Sequence, residues 1–192
     1  MSVESPRDRE RLQQAVTYAA VGATQSPDLM RYPPAGYRPL EQRRRVGHGD
    51  ERWAWAVDEL LTGGVYRGAG MGVRITPVTA ADAERTYHPV AFDDEGAPAA
   101  AAGVGADDEV YTASGARHLR PGDVIVVGLE VGRQLWLPLP TKVVLLEQEG
   151  QRVMYAVGTL PGHPFGGEEA FTLEQTEDGS VWLTVRSFAR PA

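Results

Sequence analysis

The residues best suited to chemistry lie in one glycine-rich stretch towards the C-terminal end of the sequence. They are an imidazole, two adjacent carboxylates and a guanidinium, namely His163, Glu168, Glu169 and Arg186. An imidazole that is oriented by a carboxylate can act as a general base. These four residues are therefore the candidates for a catalytic role.

A second polar set, His48, Asp50 and Glu51, lies directly before a predicted helix. If the two stretches met in the fold, an imidazole and a carboxylate could act as base and orienter. Each residue also has a structural explanation: Asp50 suits a helix N-cap, His163 between glycine and proline suits a turn, and the paired glutamates suit the start of a strand. A structural role is expected, with catalysis as the alternative.

Several other chemistries are excluded by what the sequence lacks. There is no cysteine, so there is no thiolate nucleophile, cysteine zinc site or redox switch. Neither His48 nor His163 has a partner at the helical or hairpin spacing of metal ligands, and the serine-hydrolase, phosphate-loop and HExxH patterns are missing. Gly68, Gly70 and Gly72 follow a predicted helix instead of a strand, which does not fit a dinucleotide fingerprint. No metal and no cofactor are expected.

Length and charge narrow the class of protein further. A chain of 192 residues suits a single domain, residues 1–192, in which roughly 70% of the unfolded surface can be buried. The formal charge of −7 argues against general attraction to nucleic acid. The charged N-terminal residues do not form a secretory signal, and no run approaches the ~20 apolar residues of a membrane span. A soluble, cytoplasmic protein is expected, with a flexible insertion near 93–108.

The predicted elements that would position these residues are an antiparallel sheet and one main helix. The helix begins at Asp50 and buries the side chains of Trp53, Val57, Leu60 and Leu61. Short connections between successive strands imply antiparallel neighbours, and a long, twisted sheet tends to curl around a helix. The expected fold class is α+β, with a curved antiparallel sheet wrapped around one helix. The predicted strands are 37–46, 65–76, 124–131, 135–147, 152–160, 168–175 and 181–188.

Four strings of residues together carry a resemblance to a known family. They are TYAAVGAT from Thr17, GHGDERWAWAVDELLTGG from Gly47, YAVGTLPGHPFGGEEAF from Tyr155 and GSVWLTVRSFARPA from Gly179. The chain resembles the DUF1990 family, also called UPF0548, a bacterial and plant family of unknown function. The resemblance spans most of the chain apart from 77–119.

The order of strand, helix and meander is also similar to the helix-grip fold of START and Bet v 1-like proteins. In that fold a curved antiparallel sheet wraps a helix and often leaves an apolar cavity. Such folds normally end in a long helix, and none is evident after the last predicted strand. There are two alternatives: the gripping helix is missing, or the N-terminal segment near Arg7 to Tyr18 covers the same face.

The helix-grip resemblance implies a non-catalytic binding module for a small apolar or amphipathic ligand, held between sheet and helix. The candidate walls are Trp53, Tyr155, Phe171 and Trp182. Two alternatives remain open. One is an enzyme that uses His163 with Glu168 or Glu169 at the cavity rim, and the other is an interaction or stress protein without a ligand. The sequence leaves the oligomeric state undecided.

Overall fold

The computed structural model describes residues 6–79, 91–92, 98–99, 109–131 and 135–192, and the side chains of 10–79, 109–128 and 137–192. The described helices and strands are α1 (Pro6–Gln13), β1 (Arg38–His48), α2 (Asp50–Leu61), α3 (Gly64–Gly68), β2 (Gly72–Thr76), β3 (Ala91–Phe92), β4 (Pro98–Ala99), β5 (Val124–Val131), β6 (Leu135–Glu149), β7 (Arg152–Thr159), β8 (Phe165–Gln175) and β9 (Ser180–Pro191). A short 3-10 helix spans Ala23–Gln25. The predicted insertion at 93–108 lies outside the described residues, apart from β4.

The dominant element is a seven-stranded antiparallel sheet in the order β1-β9-β8-β7-β6-β5-β2. The five successive strands from β5 to β9 form the predicted meander, and β1 and β2 close its two edges. Helices α2 and α3 lie in the connection between those edges. The predicted α+β class with a curved antiparallel sheet is therefore confirmed.

The sheet has two differently covered faces, because neighbouring residues of a strand point to opposite sides. The register places Val157, Glu169 and Ser187 in one row, and this face, here called the inner face, is covered by α2 and α3. The opposite, outer face carries Glu168 and Phe188 and is covered by the N-terminal segment.

The inner face contains the larger core. Leu60 and Leu61 of α2 and Tyr66 of α3 pack against aromatic and aliphatic side chains of the meander, among them Tyr155 and Phe171. Burying each such side chain stabilises the fold by about 1.5–3 kcal/mol. Trp53 packs at the margin of this core, whereas Trp55 is 51% exposed. The two tryptophans of α2 therefore point in different directions.

The outer face is covered by the segment that follows α1. Leu12 and Val16 pack on Leu160, while Tyr18 and Leu29 pack on Phe188. The alternative that placed the segment near Arg7 to Tyr18 on the same face as the gripping helix is therefore wrong. Small residues on the outer face make room for the segment: a Cβ on Gly158 would lie 2.5 Å from the Tyr18 hydroxyl.

Two local predictions need correction. The predicted strand at 65–76 is helical in its first part, because Gly63 takes a left-handed φ of 81° that ends α2 and the chain then turns into α3.

Asp50 is the first residue of α2 instead of its N-cap. Gly49, with φ 87°, occupies the cap position, and Asp50 accepts a hydrogen bond from Gln175 at 3.0 Å.

The close approach of β8 and β9 predicts a severe effect for Gly167→Ala. The added Cβ would lie 2.0 Å from the Phe188 backbone oxygen, so the two strands would have to separate. We expect a loss of about 3 kcal/mol or more in the free energy of unfolding, measured by urea denaturation. Gly162→Ala is the matched control: φ is 92° and nothing lies within 4 Å of the added Cβ, so only about 1–2 kcal/mol should be lost. Equal losses in the two variants would contradict this account.

Candidate functional site

Glu168 is a buried carboxylate on the outer face that anchors the N-terminal segment. Its side chain is 2% exposed and accepts four hydrogen bonds. The donors are the Tyr18 hydroxyl at 2.6 Å, the Gly22 amide at 2.7 Å, and the amide and hydroxyl of Thr24 at 3.1 and 2.5 Å. A buried charge is tolerated when it is hydrogen-bonded in this way. The contacts of Glu168 account for it as a structural residue.

Arg186 fastens the same segment from β9. Its guanidinium donates to the backbone oxygens of Thr24 at 2.9 Å and Ser26 at 2.8 Å. Its Nε lies 2.9 Å from a carboxylate oxygen of Glu41, an ion pair without the alignment of a hydrogen bond. The structure thus brings Glu168 and Arg186 to one place, where they hold main chain.

His163 lies in the turn between β7 and β8. Its Nδ1 lies 2.9 Å from the Phe165 backbone oxygen and 3.1 Å from the Phe165 amide nitrogen, so the tautomer decides whether it donates to the first or accepts from the second. Burial lowers its pKa. His48, of the second polar set, lies 2.9 Å from the Asp178 backbone oxygen in the β8–β9 turn. Both imidazoles therefore contact main chain within turns, as the structural explanation of His163 predicted.

Glu169 faces the opposite way from Glu168, so the sheet itself separates the two adjacent glutamates. On the inner face it joins two tyrosines, Tyr66 of α3 and Tyr155 of β7. The Tyr155 ring stacks on Phe171 at 5.1 Å, and the Tyr66 ring meets Phe171 edge-on at 5.4 Å. The two phenol rings thus pack on Phe171, and the Glu169 carboxyl lies beside them.

Burial dominates the electrostatics of this inner cluster. It raises the pKa of both Tyr66 and Tyr155 well above the ordinary value, and the nearby Glu169 charge raises them further. Burial also raises the pKa of Glu169, although the Tyr66 hydroxyl partly offsets this. The Tyr155 hydroxyl is buried and receives no hydrogen bond of normal geometry from any described residue. Such groups are rare in folded proteins and call for a physical reason.

The predicted ligand walls divide between the two faces. Trp53, Tyr155 and Phe171 belong to the inner core. Trp182 lies between the inward-facing Val181 and Leu183, so it points outwards, and the Arg43 guanidinium lies 4.7 Å from its ring. Sequence reasoning missed Tyr66, because it predicted a strand there. The glycine pair before it, Gly63-Gly64, was the available signal for a new helical turn.

Within the described part of the chain, no three imidazole or carboxyl groups come together as metal ligands would. None of the helices described has the length and apolar character needed to cross a membrane.

Comparison with known proteins identifies relatives of the chain. The sequence model of a domain of unknown function, DUF1990, matches residues 17–93 and 104–192. A UPF0548 protein of Deinococcus radiodurans is 39% identical over 64 residues, which is 32% of this chain and 32% of the relative. A UPF0548 protein of Arabidopsis thaliana is 36% identical over 63 residues, covering 30% and 31% of the two chains. The matched stretch spans about a third of each relative.

Glu168→Gln should release the N-terminal segment from the outer face. A neutral amide satisfies the four donors less well and presents its own NH2 group to some of them. We expect the Gly22 and Thr24 amides to lose most of their protection in hydrogen exchange, and unfolding to become easier by about 3 kcal/mol. Glu169→Gln, on the other face, is the control and should leave both amides protected. Unchanged exchange at Gly22 and Thr24 in Glu168→Gln would contradict the anchoring role.

Glu169 should lower stability at neutral pH. Because its pKa is raised in the folded chain, stability is greatest below the unfolded pKa and falls as pH rises through the folded pKa. Glu169→Gln should therefore be more stable than wild type at about pH 7, with the difference vanishing near about pH 3. Urea denaturation across this range measures it. The exposed Glu177→Gln is the control, and a pH-independent difference for Glu169→Gln would refute the burial effect.

Proposed function

The chain belongs to the DUF1990 family, and we propose that it is a binding module for a small amphipathic molecule held on the inner face, between the sheet and its helices. The proposed contacts are the hydroxyls of Tyr66 and Tyr155, the carboxyl of Glu169 and the ring of Phe171, with Trp53 at the margin. Trp182, on the other face, is left out of this set.

The observation that carries the proposal is the Tyr155 hydroxyl, which makes no hydrogen bond of normal geometry with the described residues although the Tyr66 hydroxyl lies near it. It is fully buried, and a buried hydroxyl without a partner costs about 1–3 kcal/mol. A phenylalanine would fill the same space without that cost. The adjacent Glu169 carboxyl also resists ionisation, because burial raises its pKa. Polar groups kept at such a cost, side by side, are typical of binding and catalytic sites.

The inner face also offers a route to these groups. Phe171 of β8 pairs with Val185 of β9 in the sheet register. Glu169 pairs with Ser187 of β9, which in turn pairs with Leu40 of β1. Val185 and Ser187 are half-buried and Leu40 is 49% exposed. The helices thus cover the middle of the sheet fully and the β9–β1 side only in part, and this strip is the proposed approach to Glu169.

The side chains around this strip define the chemistry of the ligand. Phe171, Val185 and Trp53 provide apolar contact for a hydrocarbon or aromatic body. Tyr155 has a donor to give, and Glu169 can accept. The matching molecule carries a group that both donates and accepts, such as an alcohol or an amine, on an apolar body.

The connection of the strands supports the likeness to helix-grip proteins that this proposal draws on. The helices lie between β1 and β2, which form opposite edges of the sheet. They therefore lie across one face of the sheet, between its two edges. In such an arrangement the space between helix and sheet is the natural place for a ligand.

An enzyme remains the second candidate, and one observation favours a particular form of it. Glu169 with a raised pKa beside the Tyr66 hydroxyl is a pair suited to proton transfer. The form that relied on Glu168 finds no such support, since four donors occupy that carboxylate. Conversion of a bound molecule, and not its retention alone, distinguishes an enzyme from a binding module.

Native mass spectrometry of the full chain, purified from cells without denaturation, tests the binding module. We expect a retained small molecule in wild type and its loss in Tyr155→Phe, which removes one hydroxyl from a site that is otherwise unchanged. Octanol should bind to the emptied protein more tightly than its methyl ether, by about tenfold, because only the alcohol donates to Glu169.

The matched control is Tyr37→Phe on the outer face, which should keep the retained molecule. A bare mass for wild type, together with equal or undetectable binding of octanol and its methyl ether, would refute the binding module and favour a protein that acts without a ligand. Melting curves for each variant show whether the fold is intact.

A further inference from the structure

A cleft of about 630 Å³ opens on the outer face, away from the site proposed for the inner face. Its walls come from the N-terminal segment, from the loop before β1 and from the end of β9. Its lining includes Tyr18, Ala19, Ala20, Pro34, Tyr37 and Arg190. Two of the four strings that carry the family resemblance line this cleft: the one from Thr17 and the one from Gly179.

The wall formed by Thr17 to Ala20 is held firmly. The Thr17 amide donates to the Thr159 backbone oxygen at 3.0 Å, and the two threonine hydroxyls lie 2.6 Å apart. One residue on, the Tyr18 hydroxyl is tied to the Glu168 carboxylate. The rings of Tyr18 and Tyr37 both meet Phe188 edge-on, at 5.5 and 5.3 Å. A site on rigid elements with supporting contacts is preorganised for binding.

This wall presents hydrogen-bond donors that the described part of the chain does not use. The backbone amides of Tyr18, Ala19 and Ala20 make no hydrogen bond to any described residue. Arg190 is exposed, and its guanidinium lies 4.7 Å from the centre of the Tyr37 ring. No carboxylate among the described residues pairs with Arg190, although Glu41 and Glu174 pair with other arginines.

Among the described residues, the acid that hydrogen-bonds to this wall is Glu168, and its charge is balanced by its four donors. The chain carries a formal charge of −7, so a general attraction of anions to its surface is not expected. An anion bound here would therefore be bound by local groups. A guanidinium stacked on an aromatic ring keeps its edge free for a forked contact with a carboxylate or phosphate.

We propose that the outer cleft binds a small organic acid, whose anionic group pairs with Arg190 and whose apolar body lies against Ala19, Pro34 and Tyr37. The amides of Tyr18 to Ala20, whose residues line the cleft, are further candidate donors to the anion. This ligand differs in chemistry from the one proposed for the inner face, where a carboxyl and two phenols select for an alcohol or amine. The two sites lie on opposite faces of the sheet, so the proposal for one does not depend on the proposal for the other.

Titration of the full ¹⁵N-labelled chain, followed by amide chemical shifts, tests the cleft. The probes are benzoate, phenyl phosphate and the neutral benzamide. We expect benzoate or phenyl phosphate to shift the Tyr18, Ala19 and Ala20 amides, and Arg190→Gln to weaken that binding by about tenfold or more. The chemical shifts of the Glu169 and Ser187 amides should not change, which distinguishes binding in the cleft from binding on the inner face.

Arg52→Gln is the matched control. Arg52 also stacks on an aromatic ring, with its guanidinium 4.1 Å from the centre of the Trp55 ring, and the substitution removes the same charge from the helix side of the molecule. It should leave the binding of the anionic probes unchanged. Which anion binds more tightly decides between carboxylate and phosphate. Equal shifts with benzamide, no shifts at all, or equal weakening in Arg190→Gln and Arg52→Gln would overturn the proposal.

Discussion

The arrangement of the outer half of this protein depends on one buried carboxylate. Glu168 accepts four hydrogen bonds from Tyr18, Gly22 and Thr24, in the stretch that runs from the end of α1 through the 3-10 helix. A single charge in the first half of β8 thereby fixes the path of residues about 150 positions earlier in the chain. Arg186 and Lys142 add to it: both donate to backbone oxygens of the same segment, the latter to Leu12 and Gln14 at 2.8 and 2.6 Å. Charged side chains of the sheet thus hold, by hydrogen bonds, a stretch of main chain that has little regular secondary structure of its own.

The same strand presents opposite chemistry on its two faces. Glu168 has every oxygen occupied, whereas its neighbour Glu169 is partly buried, resists ionisation and stands beside a hydroxyl with no partner among the described residues. The first arrangement stabilises the folded chain, and the second lowers its stability. Polar groups that lower stability and have no structural role are typical of functional sites. For this reason the proposed ligand site lies on the inner face. The outer cleft differs again, since its donors are backbone amides and a surface arginine.

The sheet was largely predictable from the sequence, and the candidate site was predictable only in part. Alternating apolar residues and short turns, such as the one at Asp178-Gly179, indicate five antiparallel strands, and β5 to β9 follow that pattern. Tyr155 and Phe171 were predicted as ligand walls and lie together on the inner face. Tyr66 was missed, because the local pattern of glycines and apolar residues at 65–76 fits a strand as well as a helical turn. Its partners come from β7 and β8, far away in the sequence.

The amino-acid sequence alone was enough for the fold class, the order of the meander and the resemblance to DUF1990, because these depend on short-range periodicity, turn residues and specific strings. The packing of the folded chain was needed to tell which of two adjacent glutamates is an anchor and which faces the helices. Strand alternation says that Glu168 and Glu169 point to opposite sides, but nothing local says which side meets which neighbour. That is fixed by which distant segments pack on each face: Thr24 and Tyr18 on one, Tyr66 on the other.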